Sequence, residues 1–217
     1  MSTQAQLLVN QDSPRSESDG NWADLKGTKR GEVCVLDFYV AMALEQRAFQ
    51  VRAGALSAPL VGDVEITDQV CEMATEAESG TVIIPCELEI AINLGGGTLH
   101  EYVAKSRPWT TAITGTAFTA LPMYLGGVSA SGTASYVSAA GGVDVGANED
   151  LTLDRLHYSF AQPIAMGAWD GTAKWYPIAP PPIAGRSIFY VQIAAATTGP
   201  SYFAHYNFIK LATVNIS

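Results

Sequence analysis

The chain has 217 residues, with 12 Lys and Arg against 21 Asp and Glu for a formal net charge of −9. So acidic a chain is repelled by phosphate backbones, and it has no dense Lys/Arg cluster, so a nucleic-acid partner is not expected. Charged residues make up 15% of it, below the roughly 25% of an ordinary domain, which implies a surface partly covered by other protein.

Residues 1–32 are rich in Ser, Asp, Gln and Asn. They read as an extended arm, with Leu7, Leu8 and Trp22 as isolated anchors for a neighbouring subunit. The opening has neither a basic stretch nor an apolar core of a signal peptide, and no run of about 18 apolar residues follows. Synthesis in a cytoplasm and no membrane partner are the expectations. Residues 33–217 read as a single domain.

Asp37 can cap a short helix that ends near Arg47, with Tyr39, Met42 and Ala43 on one face. Phe49, Val51 and Ala53 then alternate as a strand. QVCEMATEA and VIIPCELEIAINL follow as strands around the turn ESGT. In the second, Leu88, Ile90, Ile92 and Leu94 point one way and Glu87, Glu89, Ala91 and Asn93 the other. Pro85 predicts an edge position or a bulge. Gly95-Gly96-Gly97 lacks the GxGxxG spacing and a crossover helix, so it reads as the turn of a hairpin, not a phosphate cradle.

From Trp109 to Val143 there is no Asp, Glu, Lys or Arg. This stretch predicts strands with long loops, or a loop buried against a partner. LHYSFAQPIAMGAW reads as a strand pair, and YPIAPPPIAGR as a stiff, extended connection. RSIFYVQIAA and YFAHYNFIKL read as a closing hairpin. The first of these runs is apolar on both faces, which suits a central strand. Many short strands, frequent turns and one weak helix predict an all-β protein, an antiparallel β-sandwich or jelly roll.

No catalytic, cofactor or metal site is expected. Cys34, Cys71 and Cys86 have no CxxC spacing and read as buried, reduced thiols. His100, His157 and His205 form no HxH pair and read as hydrogen-bonded residues at strand surfaces. No G-x-S-x-G elbow marks an activated serine. No basic residue lies between Arg52 and Lys105, so carboxylates from Asp63 to Glu101 should crowd one face. Salt, a calcium ion or a basic partner surface would each relieve that crowding. Trp109, Trp169, Trp175 and Tyr176 lie in Gly/Pro/Thr-rich, loop-like sequence. Loop aromatics suit a protein interface or sugar stacking; otherwise they cap the core.

The arm with QLLVNQDSPR, the run ESGTVIIPCELEIAINLGGGTLHEY and the closing FYVQIAAATTGPSYFAHYNFIKL together resemble small virion structural proteins of tailed bacteriophages. The resemblance implies a jelly-roll decoration, cement or minor head protein, without cofactor, that contacts the major capsid protein or another virion protein. It implies a homo-oligomer, with a trimer favoured. A tail or carbohydrate-binding module is the first alternative, and a β-sandwich hydrolase or metal enzyme the second.

Overall fold

The computed structural model describes residues 38–66, 70–94, 99–109, 115–118, 120–127, 133–137, 143–144, 152–162 and 171–213. Leu7, Leu8, Trp22, Trp169 and the three consecutive glycines lie outside them. In chain order the elements are α1 (Phe38–Leu44), β1 (Ala48–Ala53), β2 (Leu60–Val61), β3 (Val70–Cys71), β4 (Met73–Ala77), β5 (Thr81–Leu94) and β6 (His100–Pro108). There follow β7 (Thr116–Phe118), β8 (Leu121–Pro122), β9 (Thr133–Val137), β10 (Val143–Asp144), β11 (Arg155–Gln162) and β12 (Gly171–Trp175). The chain then forms β13 (Ile183–Ala184), β14 (Ser187–Ala195) and β15 (Ser201–Ala212).

The strands build a sandwich. One sheet runs β12-β5-β15-β1-β8, with β13 also on β5 and β2 on β15. The other runs β11-β6-β14-β4-β9-β7, and β10 pairs separately with β3. All ladders between these strands are antiparallel. The long strands change sheet at β4 to β5, β5 to β6, β11 to β12 and β14 to β15. That alternation, in two Greek keys of about eight strands, is a jelly roll.

The alternation corrects two pairings read from sequence. β5 and β6 flank the glycines but sit in opposite sheets. The same holds for β14 and β15, so neither is a hairpin, while the second strand expected within LHYSFAQPIAMGAW, at residues 163–169, lies outside the described residues. The β14–β15 link is also held by another part of the chain. It is crossed at Gly62 and Asp63, where Gly62 N donates to Pro200 O (2.8 Å) and Asp63 N to Ile193 O (3.0 Å). A Cβ on Gly199 would collide with the Gly62 carbonyl, and one on Gly62 with the Ile193 carbonyl. Only glycines allow so close a crossing.

The core lies between the sheets. β5 contributes Leu88, Ile90 and Ile92, β15 contributes Tyr202, Tyr206 and Phe208, and β14 contributes Phe189, Val191 and Ile193. The glutamates of β5 take the opposite face, as alternation demands. Register slips at Pro85, where Phe208 pairs with Pro85 and Asn207 with Glu87, leaving Cys86 bulged. The bulge reverses the facing of the strand's first half. Ile83 thereby joins the main core, while Ile84 and Cys86 turn outward against α1. α1 covers this outer patch through Met42, with Tyr39 and Ala43 beside it.

Phe189 stands at the centre, edge-on to Tyr206 (5.3 Å between centroids) and stacked with Trp175 (6.1 Å). Phe189→Ala should cost about 3–5 kcal/mol in urea unfolding. The buried hydroxyl of Tyr206 has no partner among the described residues. Tyr206→Phe should therefore leave stability unchanged or raise it by about 1 kcal/mol in the same assay.

Candidate functional site

Three polar groupings stand apart from the apolar core. The first lies at the end of β6. Arg107 Nε and Nη2 donate to Asp154 Oδ1 (2.6 Å) and Oδ2 (2.7 Å), and Tyr190 OH donates to Asp154 Oδ1 (2.8 Å). The Arg107 and Asp154 side chains are 4% and 5% exposed, so this ion pair is buried. Burial raises the Tyr190 pKa, and the bond to Asp154 raises it further. The group ties β6, β14 and the start of β11 together on the outer face of their sheet.

Beside it, Ser106 Oγ and His157 Nε2 lie 2.7 Å apart. His157 is displaced at a register slip between Leu156 and Tyr158, and its ring packs near Trp175 and Phe189. Burial, then the charge of Arg155, lowers its pKa, so the imidazole is neutral at neutral pH. A neutral imidazole against a hydroxyl is the start of a nucleophile–base pair. Among the described residues no carboxylate hydrogen-bonds His157, and Ser106 is only 4% exposed. As described, the pair links adjacent strands. Sequence reading missed it because the two residues lie 51 positions apart and meet only through the β6–β11 register.

The second grouping is a row across the outer face of the first sheet. Lys174, Glu89, His205 and Arg52 sit side by side on β12, β5, β15 and β1. Lys174 Nζ is 3.1 Å from Glu89 Oε2. In the next row Asn207 Nδ2 donates to Glu87 Oε2 (2.5 Å), Tyr176 OH to Glu87 Oε1 (3.0 Å) and Gln50 Nε2 to Asn207 Oδ1 (3.2 Å). Donor atoms of Glu87, Glu89 and His205 come within 4.8 Å of one another, the spacing a shared cation would need. Lys174, Asn207 and Tyr176 already answer the two carboxylates. The expected crowding of acids is thus relieved here by cross-strand partners from β12 and β15.

The third grouping is a single carboxylate. Glu72 lies between β3 and β4 and is 2% exposed. Its oxygens accept from Asp63 N (3.0 Å) and Ile193 N (2.7 Å), so it clamps the crossing at Gly62 onto β14. Burial pushes its carboxyl up to about 8, against the pull of these backbone donors. It was grouped in the sequence with surface acids, and burial sets it apart from them.

The aromatic candidates separate. Trp109 follows β6 and is buried with Cys71, Ala74, Ile188 and Tyr190. Trp175 belongs to strand β12 and is half-buried against the core. Both were read as loop residues: Trp109 does lie outside the strands, whereas Trp175 is corrected to a strand residue. Tyr176 is exposed and bound to Glu87. Of the three histidines, His100 is wholly buried, and His157 and His205 sit on different sheets.

No helix among the described residues is long and apolar enough to cross a membrane. No protein-family model matches the chain, and no curated protein sequence matches it.

Glu72 makes stability depend on pH. From about 4.5 to about 8 the unfolded chain has lost this proton while the folded chain keeps it, so folding takes up a proton. The contribution should fall as pH rises through that window. Urea midpoints from pH 5 to 8 should decline, and Glu72→Gln should flatten the decline. Separately, Asp154→Ala strands the buried Arg107 charge and should cost about 3–5 kcal/mol in urea unfolding.

Proposed function

We propose that the protein is a non-enzymatic structural component of a virion, one that binds and stabilises a capsid lattice as a cement or decoration subunit. One observation carries the reading. The uncharged stretch from Trp109 to Val143 supplies β8, the edge of one sheet, and β7, the edge of the other. β8 flanks β1, and β7 lies beyond β9 on β4. After β8 the same stretch exposes Met123, Tyr124 and, at 93%, Leu125. Edge strands of a monomeric protein are normally guarded by charge, because an open edge pairs with other chains. An uncharged flank with projecting apolar side chains suits a surface that other subunits cover.

The fold supports the reading only by analogy, since jelly rolls serve as capsid subunits, lectins and enzymes alike. A sugar-stacking platform receives less support. Trp109 is buried and Trp175 packs against Phe189, so Tyr176, itself bonded to Glu87, is the one candidate aromatic among the described residues exposed on the surface.

Purified full-length chain should co-sediment with particles from its source lysate. Leu125→Asp should weaken that binding about tenfold or more while leaving the thermal melt unchanged, because several identical footprints multiply a small loss at each. Removing residues 1–30 should weaken it as well. Equal binding by wild type and Leu125→Asp would contradict the role given to this flank.

A further inference from the structure

The first sheet has a gap in its pairing. β12 pairs with Leu88–Ile92 of β5, and β13 pairs with Val82 and Ile83. Between them, from Ile84 to Glu87, β5 has no strand on that side among the described residues. The intervening connection, residues 176–182, carries Pro177, Pro180, Pro181 and Pro182, none of which has an N–H to donate. Pro85 and the bulged Cys86 interrupt β5 at the same level. The connection therefore stands away from the sheet and leaves a groove of about 530 Å³.

The groove is mostly apolar, with Glu87 and Tyr176 also in its lining. Ile84, Cys86 and Ile209 form its floor. Phe38 and Tyr39 at the start of α1 line one side, and Ile178 and Pro180 line the other. Phe38 is 55% exposed and Ile178 fully exposed, so the lips of the groove present apolar surface to water. That arrangement is unfavourable unless something covers it.

The occupant is indicated by where the described chain begins. Phe38 is itself a wall of the groove, and the run Val33-Cys34-Val35-Leu36 precedes it, separated from it by Asp37. This is the most apolar run in the first 37 residues. Leu36 lies at most about 7 Å from Phe38 along an extended chain. So short a tether gives this segment a far higher effective concentration at the groove than any second copy or free peptide. We propose that Val33–Leu36 of the same chain docks in the groove between α1 and the 176–182 connection and roots the N-terminal arm on the sandwich. The inference is independent of the virion reading.

The native thiols provide the test. Cys34 lies in the segment, Cys86 in the groove floor, and Cys71 is fully buried. A short bismaleimide added to dilute full-length protein should link Cys34 to Cys86 within one chain. The product should run as a monomer and show the link on peptide mapping. Val35→Asp should abolish the link and speed alkylation of Cys86 by a single-ended maleimide about tenfold, since thiol reactivity follows access. Ile178→Asp, a change on the opposite wall, should do the same. Cys71 remaining unreactive reports that each variant is folded. Equal Cys86 rates in the wild type and both folded variants, with no link in the wild type, would overturn the proposal. A link found only between two chains would overturn it too, and would assign the groove to a second copy.

Discussion

The facing of β14 and β15 across the sandwich governs the rest of the structure. Phe189, Val191 and Ile193 on one strand meet Tyr202, Tyr206 and Phe208 on the other, and each of these side chains is buried. Large aromatic rings stabilise best when they pack edge to face inside a dry interior, as Phe189 and Tyr206 do. Two strands so close in sequence could meet this demand as neighbours in one sheet only by turning half their apolar atoms to solvent. Placed in opposite sheets, they bury them against each other. The connection between them must then leave one sheet and enter the other, and the Gly62–Gly199 crossing with its Glu72 clamp holds it there.

This explains what could and could not be read from sequence. Period-two alternation in Leu88, Ile90 and Ile92, and in Phe49, Val51 and Ala53, identified strands and their inward faces. α1 was legible from Tyr39, Met42 and Ala43, and the trouble at Pro85 from its missing N–H. Pairing was not legible. A short Gly-rich link such as residues 95–97 fits a hairpin and a crossover between sheets equally well in local chemistry. Which one forms depends on apolar surface far away in the chain. The doubly apolar β14 was correctly read as interior, and the same property should have argued against a simple hairpin with β15.

The polar groupings depend on register in the same way. Glu87 and Glu89 are recognisable as one face of a strand, but Lys174, His205 and Asn207 come from strands about 85 to 120 positions away. Ser106 and His157 meet by the same route, as do Arg107 and Asp154. Glu72 looked like one acid among many, and only the crossing chain buries it. Trp175 was placed outside the strands because Gly/Pro/Thr-rich surroundings mark turns without revealing what packs over the neighbouring ring. Composition, by contrast, did carry information about the surface. The uncharged stretch from Trp109 to Val143 provides edge strands on one flank of both sheets.

The central claim is that this flank and the arm serve contacts within a virion. The most direct measurement is density-gradient fractionation of the source lysate with absolute quantitation of this chain in each band. The account predicts co-migration with DNA-filled particles at a copy number that is a multiple of the capsid lattice, as symmetric assembly requires. Absence of the chain from every particle band would contradict it.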